Sequence, residues 1–341
     1  MLLSMLQDDP QLLVSVCTAA RAEPAARVPP TTQRWRQPHF AIGWCPWGIG
    51  LDYPTLGEAN FTIALQGDDV AQCSKHSLGC IGAALPTTAG ADAHTSFWGY
   101  NVGDEPGIYQ FPQFADRFRT IRRLRPGSMG FANLLQAYCP AGSLAANPPA
   151  PANATGVNGS LACSDYVEAF AATVQPDILC TDYYPYFEKQ NLFPMFNRLN
   201  SVTSGRGAPS MENYVDNLLV LRTTAQRHNL TWWNYFGAAA FQGHTMVSEA
   251  QMRLQMMASV TLGARGLLYW VLGKGDPRGW SGRLGGPVPR PVLGRHWAQA
   301  KRLNSRIVAL GPTLMKLRSQ VVVRVRRNAT VAKVSLACPA L

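Results

Sequence analysis

Two adjacent carboxylates, Asp104 and Glu105, come directly after a run of aromatic and apolar residues, FWGYNV at positions 97–102. A Pro-Gly pair follows them, so the run predicts a buried strand that ends in two acids at the start of a loop. Acids at the carboxyl end of a parallel strand can donate or accept protons in a cleft, as catalytic groups do in α/β barrels. The alternative is that Asp104 caps the next helix and Glu105 is a solvated loop acid.

A third acid, Asp182, follows the run 177–181 in the sequence Thr-Asp-Tyr-Tyr-Pro. Cleavage of a glycosidic bond needs one carboxylic acid to protonate the leaving oxygen and a second carboxylate to act as nucleophile or to activate water. Glu105 is the candidate proton donor, with a pKa raised by neighbouring acids, and Asp182 is the candidate second carboxylate. Asp104 is expected to support the rim through hydrogen bonds. The alternative for Asp182 is a structural acid that binds backbone amides or a neighbouring tyrosine.

Aromatic residues are concentrated near the ends of the candidate strands. Sugar rings have apolar faces that stack on Trp and Tyr, so a carbohydrate cleft should be lined with such side chains. Amide side chains can bind sugar hydroxyl groups there. Any one of these residues, taken alone, is more often part of a core. The candidate substrate-binding residues are Trp44, Trp47, Asp104, Asn133, Tyr138, Tyr184, Asn234, Tyr235 and Trp270.

Eight short apolar segments bounded by Gly, Pro, Asn or Asp predict strands that are covered on both faces. Helical patterns fill several gaps, including one that opens with Ser248 and Gln251 at capping-box spacing. Strands that alternate with helices in this number predict an α/β fold, the (β/α)8 TIM barrel. A doubly wound sheet is the alternative, although no Gly-rich phosphate loop follows an early strand. The predicted strands are 40–44, 61–66, 79–85, 97–102, 129–134, 177–181, 231–236 and 266–271.

The two ends of the chain are assigned outside this repeat. Residues 1–36 include a short apolar stretch that follows two aspartates, where a signal peptide should be positively charged. They are therefore interpreted as a weak targeting or disordered segment and not as part of the fold. The barrel is assigned to residues 37–319. Alternating valines from Val321 onward predict that residues 320–341 begin a short, truncated C-terminal β appendage.

Five segments of the chain resemble the catalytic barrel of clan A glycoside hydrolases, especially the β-galactosidase-like branch. The resemblance covers residues 38–320 and is most specific over 97–272. In that clan an acid/base Glu, usually preceded by Asn, ends the fourth strand; Glu105 holds this place, and Asp104 replaces the Asn. The segments are FWGYNVGDEPG, FANLLQAYCP, PDILCTDYYPYF, LTWWNYFG and SEAQMRLQMMASVTLGARGLLYWVL.

The resemblance implies a glycoside hydrolase that cleaves β-linked glycans by carboxylate acid/base catalysis. The clan's nucleophile is a Glu at the end of strand seven, but here that strand reads TWWNYFGA and has no acid. This departure favours a second function, a barrel that binds carbohydrate without cleaving it, unless Asp182 supplies the missing carboxylate. The sequence leaves open the sugar, the linkage and the oligomeric state.

The composition restricts the other function classes. A formal net charge of +11 would suit nucleic acid, but the densest arginine group surrounds one helix after Pro112 and no nucleic-acid-binding motif accompanies it. Most of these arginines are expected in water. No apolar run reaches about 18 residues, so no membrane insertion is expected. The histidines show no metal-ligand spacing and no CxxC pair occurs, so neither a metal nor a cofactor is expected.

Cysteine spacing bears on the compartment. Cys73 and Cys80 bracket a short connection, and Cys139 and Cys163 flank the Pro- and Ala-rich loop 140–162. Both pairs are predicted to be disulfides, which form in oxidising compartments.

Glycosylation sequons point to the same compartment. Cys45 and Cys180, in contrast, lie in strand-like runs and are predicted to be buried thiols. The sequons and the cysteine pairs together predict a glycoprotein that is secreted or resides in the lumen of the secretory pathway. The five sequons begin at Asn60, Asn153, Asn158, Asn229 and Asn328.

Overall fold

The structure is a computed structural model, and it describes residues 11–19, 40–45, 52–89, 94–136, 163–186, 211–239, 244–270 and 295–326. The strands are β1 (Gln11–Ala19), β2 (Ala41–Trp44), β3 (Ile63–Leu65), β4 (Gly79–Gly82), β5 (Phe97–Asp104), β6 (Met129–Asn133), β7 (Ile178–Asp182), β8 (Thr231–Gly237), β9 (Gly266–Trp270) and β10 (Leu317–Arg326). The helices are α1 (Tyr53–Glu58), α2 (Val70–Lys75), α3 (Phe111–Leu124), α4 (Cys163–Val174), α5 (Met211–Arg227), α6 (Glu249–Thr261) and α7 (Arg295–Leu314).

Strands β2 to β9 form one parallel sheet in the order β6-β5-β4-β3-β2-β9-β8-β7. The two outer strands of this order, β6 and β7, meet through a parallel bridge between Leu134 and Thr181. The Leu134 N–H donates to the carbonyl of Cys180 at 2.9 Å. The sheet therefore closes into a (β/α)8 barrel, so the predicted fold class is confirmed and the doubly wound alternative is excluded.

The interior of the barrel is filled by large side chains that lie against glycines of neighbouring strands. A Cβ atom on Gly79 would overlap the indole of Trp98, and one on Gly266 would overlap the indole of Trp233. Both indoles belong to an interior cluster with Phe131. These glycines are needed because the ring from the adjacent strand occupies the space that a side chain would fill.

Helices cover the outside of the barrel through apolar stripes. The predicted capping box starts α6, with the Ser248 hydroxyl accepting from the Gln251 N–H at 3.2 Å and the Gln251 side chain accepting from the Ser248 N–H at 2.8 Å. Met252 and Met256 of this helix are buried in the layer between helices and strands. The methionine stripe is therefore core.

None of the arginines of the group around α3 is buried, as expected, and several of them also bind backbone carbonyl groups. The Arg117 guanidinium donates to the carbonyl of Val102 at 3.0 Å, and it also lies over the ring of Phe114. Arg122 and Arg125 donate to carbonyls of residues outside the helix. These contacts join α3 to adjacent segments of the barrel.

Strands β1 and β10 pair antiparallel and form a ribbon separate from the barrel sheet. Residues 1–36 were interpreted as a segment outside the fold, but residues 11–19 within them pair with β10. Their alternating apolar residues match those of β10, and a strand 300 residues away is a partner that local sequence cannot reveal. The expected C-terminal strand is present, although it begins at Leu317 and its partner is β1.

Side chains of α5 hold this ribbon against the barrel. The buried Arg222 donates to the carbonyl of Gln320 at 2.8 Å and to the hydroxyl and carbonyl of Ser319 at 3.2 and 3.3 Å. Gln226 adds a bond of 2.8 Å to the Ser319 carbonyl, and Arg265 donates to the carbonyl of Leu317 at 3.3 Å.

The cysteines agree with the sequence interpretation where the structure describes them. Cys73 and Cys80 form a disulfide with Cα atoms 6.1 Å apart. Cys45 and Cys180 are buried thiols. The predicted Cys139–Cys163 pair stays a prediction, because Cys139 lies outside the described residues. In the part of the chain that is described, no helix has the length and apolarity required to cross a membrane.

Replacement of Arg222 by Met should lower the free energy of unfolding by about 2–3 kcal/mol, because buried carbonyls of β10 would lose a charged donor. Arg119→Met is the matched control, because the ion pair of Arg119 with Asp116 is exposed. Its loss should lower the free energy of unfolding by less than about 0.5 kcal/mol. Urea unfolding of the two variants measures the difference. Equal effects would show that β10 is not held by Arg222.

Candidate active site

Glu105 lies just beyond the end of β5 in a strained backbone conformation. Its φ is 44°, in the left-handed region that a glutamate rarely adopts. The Glu105 N–H donates to the carbonyl of Asn133 at 2.9 Å, so the end of β6 holds the residue in place. The preceding Gly103 has a φ of 156°, and the ring of Phe114 occupies the space where its Cβ would lie.

Asp104 lies on the side of β5 that faces β6. The Asn133 Nδ2 donates to Asp104 Oδ1 at 3.0 Å, as expected for an acid that supports the rim. The Asp104 side chain is exposed to solvent, yet the protein around the barrel mouth removes enough water to raise the pKa of this carboxyl above its usual range. The hydrogen bond from Asn133 opposes that rise.

Glu105 and Asp182 meet across the mouth of the barrel, and their carboxyl groups are joined by a hydrogen bond. Burial and the charge of Asp104 raise the pKa of Glu105 to about 7, and the hydrogen bond with Asp182 opposes the rise. Burial, followed by the charges of Glu105 and Asp104, raises the pKa of Asp182 well above its usual range. Two carboxyl groups this close cannot both ionise easily, so they share a proton.

Three rings from three strand ends form an aromatic cluster beside the acid pair. Tyr184 stacks on Trp270 with centroids 6.3 Å apart, and Tyr235 packs edge-on against Trp270 at 6.5 Å. Tyr184 also hydrogen-bonds Asp182. Its ring contacts the imidazole of His244 edge-on at 5.5 Å. Because a single histidine in a loop has no spacing pattern, sequence reasoning had no signal that could find His244.

A small recess lies beside this cluster, between the ends of β7 and β8. Glu105 is not among the residues that line it. Its walls are aromatic and small apolar side chains together with one imidazole. The lining residues are Tyr184, Pro185, Tyr186, Gly237, Ala239, His244, Thr245 and Val247.

Two candidate substrate-binding residues face the helices instead of the mouth. Trp44 is 4% exposed and belongs to the cluster between strands and helices that includes Met256. Asn234 is fully buried and donates to the hydroxyls of Tyr214 and Ser259 at 2.9 and 3.2 Å. Successive residues of a strand point to opposite faces, so a position near a strand end does not by itself reach the mouth.

Two other candidates, Trp47 and Tyr138, lie outside the described residues. Two further acids, Asp68 and Asp69, follow β3 and make structural contacts. Asp68 Oδ1 accepts from the Ala83 N–H and Asp69 Oδ1 from the Gln72 N–H, both at 3.0 Å. Among the described residues, no group of three or more His, Cys, Asp or Glu side chains is arranged to hold a metal ion.

Comparison with known proteins identifies the architecture. No family model matches the chain. No curated protein matches it either. Among solved structures, a β-galactosidase from the psychrophilic Marinomonas ef1 is similar with a TM-score of 0.51 and 9% identity. The similarity covers 82% of this chain and 62% of the β-galactosidase.

A second similar structure is active domain 2 of a thermostable chitinase from Pyrococcus furiosus, with a TM-score of 0.46 and 11% identity over 79% of this chain and 95% of that one. At 9% identity the likeness to the β-galactosidase shows the fold alone, a TIM barrel.

Glu105→Gln should stabilise the protein at pH 8 by about 1 kcal/mol after solvent screening, and the gain should vanish near pH 4. A carboxyl whose pKa is raised from 4.5 to about 7 holds its proton in the folded state and loses it earlier in the unfolded state. The free energy of unfolding of the native protein therefore falls between these two pH values. Thermal unfolding of both proteins from pH 4 to 8 measures the effect. A gain that does not depend on pH would contradict the shifted pKa.

Proposed function

We propose that this protein is a glycoside hydrolase that cleaves β-linked glycans by carboxylate acid/base catalysis. The observation that carries the proposal is the hydrogen-bonded pair of Glu105 and Asp182, which holds a proton at the barrel mouth up to about pH 7. Active sites of TIM barrels lie at this end of the strands. A general acid is most effective when its pKa is close to the working pH.

In the proposed reaction Glu105 donates its proton to the glycosidic oxygen as the bond from that oxygen to the anomeric carbon breaks. Asp182, whose pKa is also raised, shares this proton in the resting site. The charge of Asp104 favours the protonated form of Glu105. In the second half of the reaction Glu105, now a carboxylate, takes a proton from the attacking water.

The aromatic cluster supports carbohydrate as the substrate class. Tyr184 and Trp270 present stacked rings next to Asp182, and such rings suit the apolar faces of sugars. Asn133 has a second role besides binding Asp104, because its Oδ1 is buried without a hydrogen-bond partner among the described residues. An acceptor of this kind suits a hydroxyl or amide donor of a ligand.

A second candidate function is a barrel that binds carbohydrate without cleaving it. The observation that favours it is the end of β8, where a nucleophile would stand. Gly237 occupies this place, its N–H and carbonyl bound by the side chain of Gln255 at 3.0 Å each. No Asp or Glu occurs between positions 229 and 248.

Glu105→Gln should reduce kcat/KM for aryl β-glycosides by about 10²–10⁴-fold, because the amide keeps the shape of the acid but has no transferable proton. Sugar binding should remain close to that of the native protein. Steady-state kinetics over a panel of aryl glycosides, together with calorimetric titration of the released sugar, measures both effects.

The pH profile provides a second test of the same assignment. Since the donor must be protonated, kcat/KM of the native enzyme should fall tenfold per pH unit above about pH 7. Asp104→Asn should move this limb to lower pH, because the charge of Asp104, which helps to raise the pKa of Glu105, would be gone. Full activity in Glu105→Gln would eliminate Glu105 as the donor, and native protein that binds sugars but cleaves none would favour the binding function.

The compartment we propose for this activity is the secretory pathway or the cell exterior. The Cys73–Cys80 disulfide and the exposed sequon at Asn229 support it. Asn229→Asp should remove one glycan while keeping an amino acid that tolerates the left-handed backbone at this position, where φ is 52°. Mass spectrometry of both proteins, expressed in a secreting eukaryotic host, would show one glycan fewer on the variant. An unmodified Asn229 would remove this support.

A further inference from the structure

Strand β5 contains an extra residue shortly before its two acids. Asn101 is paired with Phe131 of β6, whereas the following Val102 has no partner residue in this pairing. Pairing resumes with Gly103 opposite Ala132. Two residues of one strand opposite a single residue of its neighbour form a β-bulge, which bends the strand and changes the direction of the side chains that follow.

The bulge places two successive residues of β5 on the helix side of the sheet. Val102 belongs to the core that β5 and β6 share with the helices. A Cβ atom on Gly103 would point to the same side, where it would lie 2.7 Å from the ring of Phe114. Asp104 is therefore turned to the opposite side, where it pairs with Asn133 and accepts a hydrogen bond from its Nδ2 at 3.0 Å. In a regular strand the side chains alternate, and Asp104 would face the helices.

Arg117 of α3 binds the bulged residue itself. Its Nη1 donates to the carbonyl of Val102 at 3.0 Å, and a charged donor of this kind forms a stronger bond than a neutral one. The guanidinium lies over the ring of Phe114, 5.3 Å from the centroid, and the same ring occupies the space beside Gly103. Phe114 and Arg117 are one turn apart on α3 and share a face of the helix. Helix α3 therefore holds the bulge through a hydrogen bond and a packed ring.

We infer that Arg117 is a positioning residue of the candidate active site: by binding the Val102 carbonyl it keeps the β5 bulge in the conformation that turns the two acids toward the barrel mouth. This inference rests on the proposed function of Glu105 as the proton donor. Bulges are frequent next to active sites, where they redirect a side chain. The left-handed backbone of Glu105, with a φ of 44°, belongs to the same strand end, and such strain persists where surrounding contacts enforce it.

The position of the acids also determines the charge around Glu105. Asp104 on the same strand and Asp182 at the end of β7 act on its carboxyl, and the charge of Asp104 contributes to its raised pKa. If the bulge relaxed, Asp104 would turn toward the helices, and the pKa of Glu105 would fall. Loss of the guanidinium charge alone acts in the opposite direction, because removal of a cation raises the pKa of a nearby carboxyl. A lower pKa in an Arg117 variant therefore reports a change of position.

The kinetic test uses Arg117→Met in the full chain, which keeps a long apolar side chain and removes the donor. Its kcat for an aryl β-glycoside should fall about 10²-fold, because displacement of a catalytic group by about 1 Å costs a factor of this size. Its KM should stay within about twofold of the native value, because the substrate-binding surfaces are unchanged.

Arg122→Met is the matched control. Arg122 lies on the same helix and over a ring, that of Phe118, and its guanidinium also binds a backbone carbonyl, that of Gln175. Gln175 precedes β7, so this contact lies at the end of the barrel opposite the mouth. The kcat of Arg122→Met should therefore stay within about twofold of the native value.

The titration of Glu105 gives a readout that does not depend on turnover. The NMR signal of its carboxyl carbon, assigned by comparison with Glu105→Gln, should titrate at about pH 7 in the native protein. Arg117→Met should lower this midpoint by about 1 pH unit, and Arg122→Met should leave it unchanged. Arg117→Lys keeps a charged donor but not the planar group over the ring, so its kcat and midpoint should lie between those of the native protein and Arg117→Met.

The outcomes separate this inference from the proposed function. A lower kcat at constant KM with a lower midpoint, in Arg117→Met but not in Arg122→Met, would support it. Equal changes in these two variants, or a native kcat and midpoint in Arg117→Met, would overturn it. If Arg117→Met does not fold, a native kcat and midpoint in Arg117→Lys would overturn it. Absence of turnover by the native protein would overturn the proposed function, and the midpoints would still decide whether Arg117 positions the acids.

Discussion

Closure of the barrel between β6 and β7 is the constraint on which the candidate site depends. In the described residues it consists of a parallel bridge at Leu134, whose N–H donates to the carbonyl of Cys180 at 2.9 Å. The residue before Leu134 is Asn133, which holds Glu105, and Asp182 ends the strand on the other side. In an open sheet β6 and β7 would be opposite edges, and Glu105 and Asp182 would be separated by the width of the sheet. The proximity of Glu105 and Asp182 therefore depends on closure of the barrel as well as on the two residues themselves.

The sequence predicts the positions of the strands well, but it predicts poorly which side chains point into the barrel. Both results have the same cause, the continuous apolar character of the strands. Parallel strands that are covered on both faces consist of continuous apolar runs, which are easy to find and bounded by Gly, Pro, Asn or Asp. The same continuity hides which residues point inward, because there is no polar and apolar alternation to read. Asp182 and Asn133 reach the mouth, whereas Trp44 and Asn234 end on the helix side. The pairing of β1 with β10 could not be predicted, because it joins segments about 300 residues apart in sequence.

The sequons at Asn60 and Asn229 show how one residue type can satisfy two different constraints. Each follows the end of a helix, has a φ of 57° or 52°, and stands just before a barrel strand. Asn is tolerated in this left-handed conformation more readily than most residues, so the turn from helix to strand accounts for it without a glycan. Ser77 and Gln175 occupy the same kind of turn with φ values of 58° and 52°. The sequon alone therefore does not distinguish an asparagine that the backbone turn requires from one that carries a glycan.

Glu105 has two energetically unfavourable features, a left-handed backbone and a buried carboxyl group. Both features bear on the proposed proton transfer. A left-handed backbone costs a non-glycine residue about 1–2 kcal/mol. Burial next to Asp104 makes the ionised carboxyl unfavourable as well, which is why its pKa rises to about 7. Neither feature helps the barrel to fold, since a glycine with a neutral neighbour would satisfy the same turn. Strain of this kind persists where surrounding structure enforces it, here through the Asn133 carbonyl, and it concentrates at functional sites. The left-handed turn aims the carboxyl at Asp182, and the raised pKa gives it a proton to donate, so both costs serve the proton transfer proposed for Glu105.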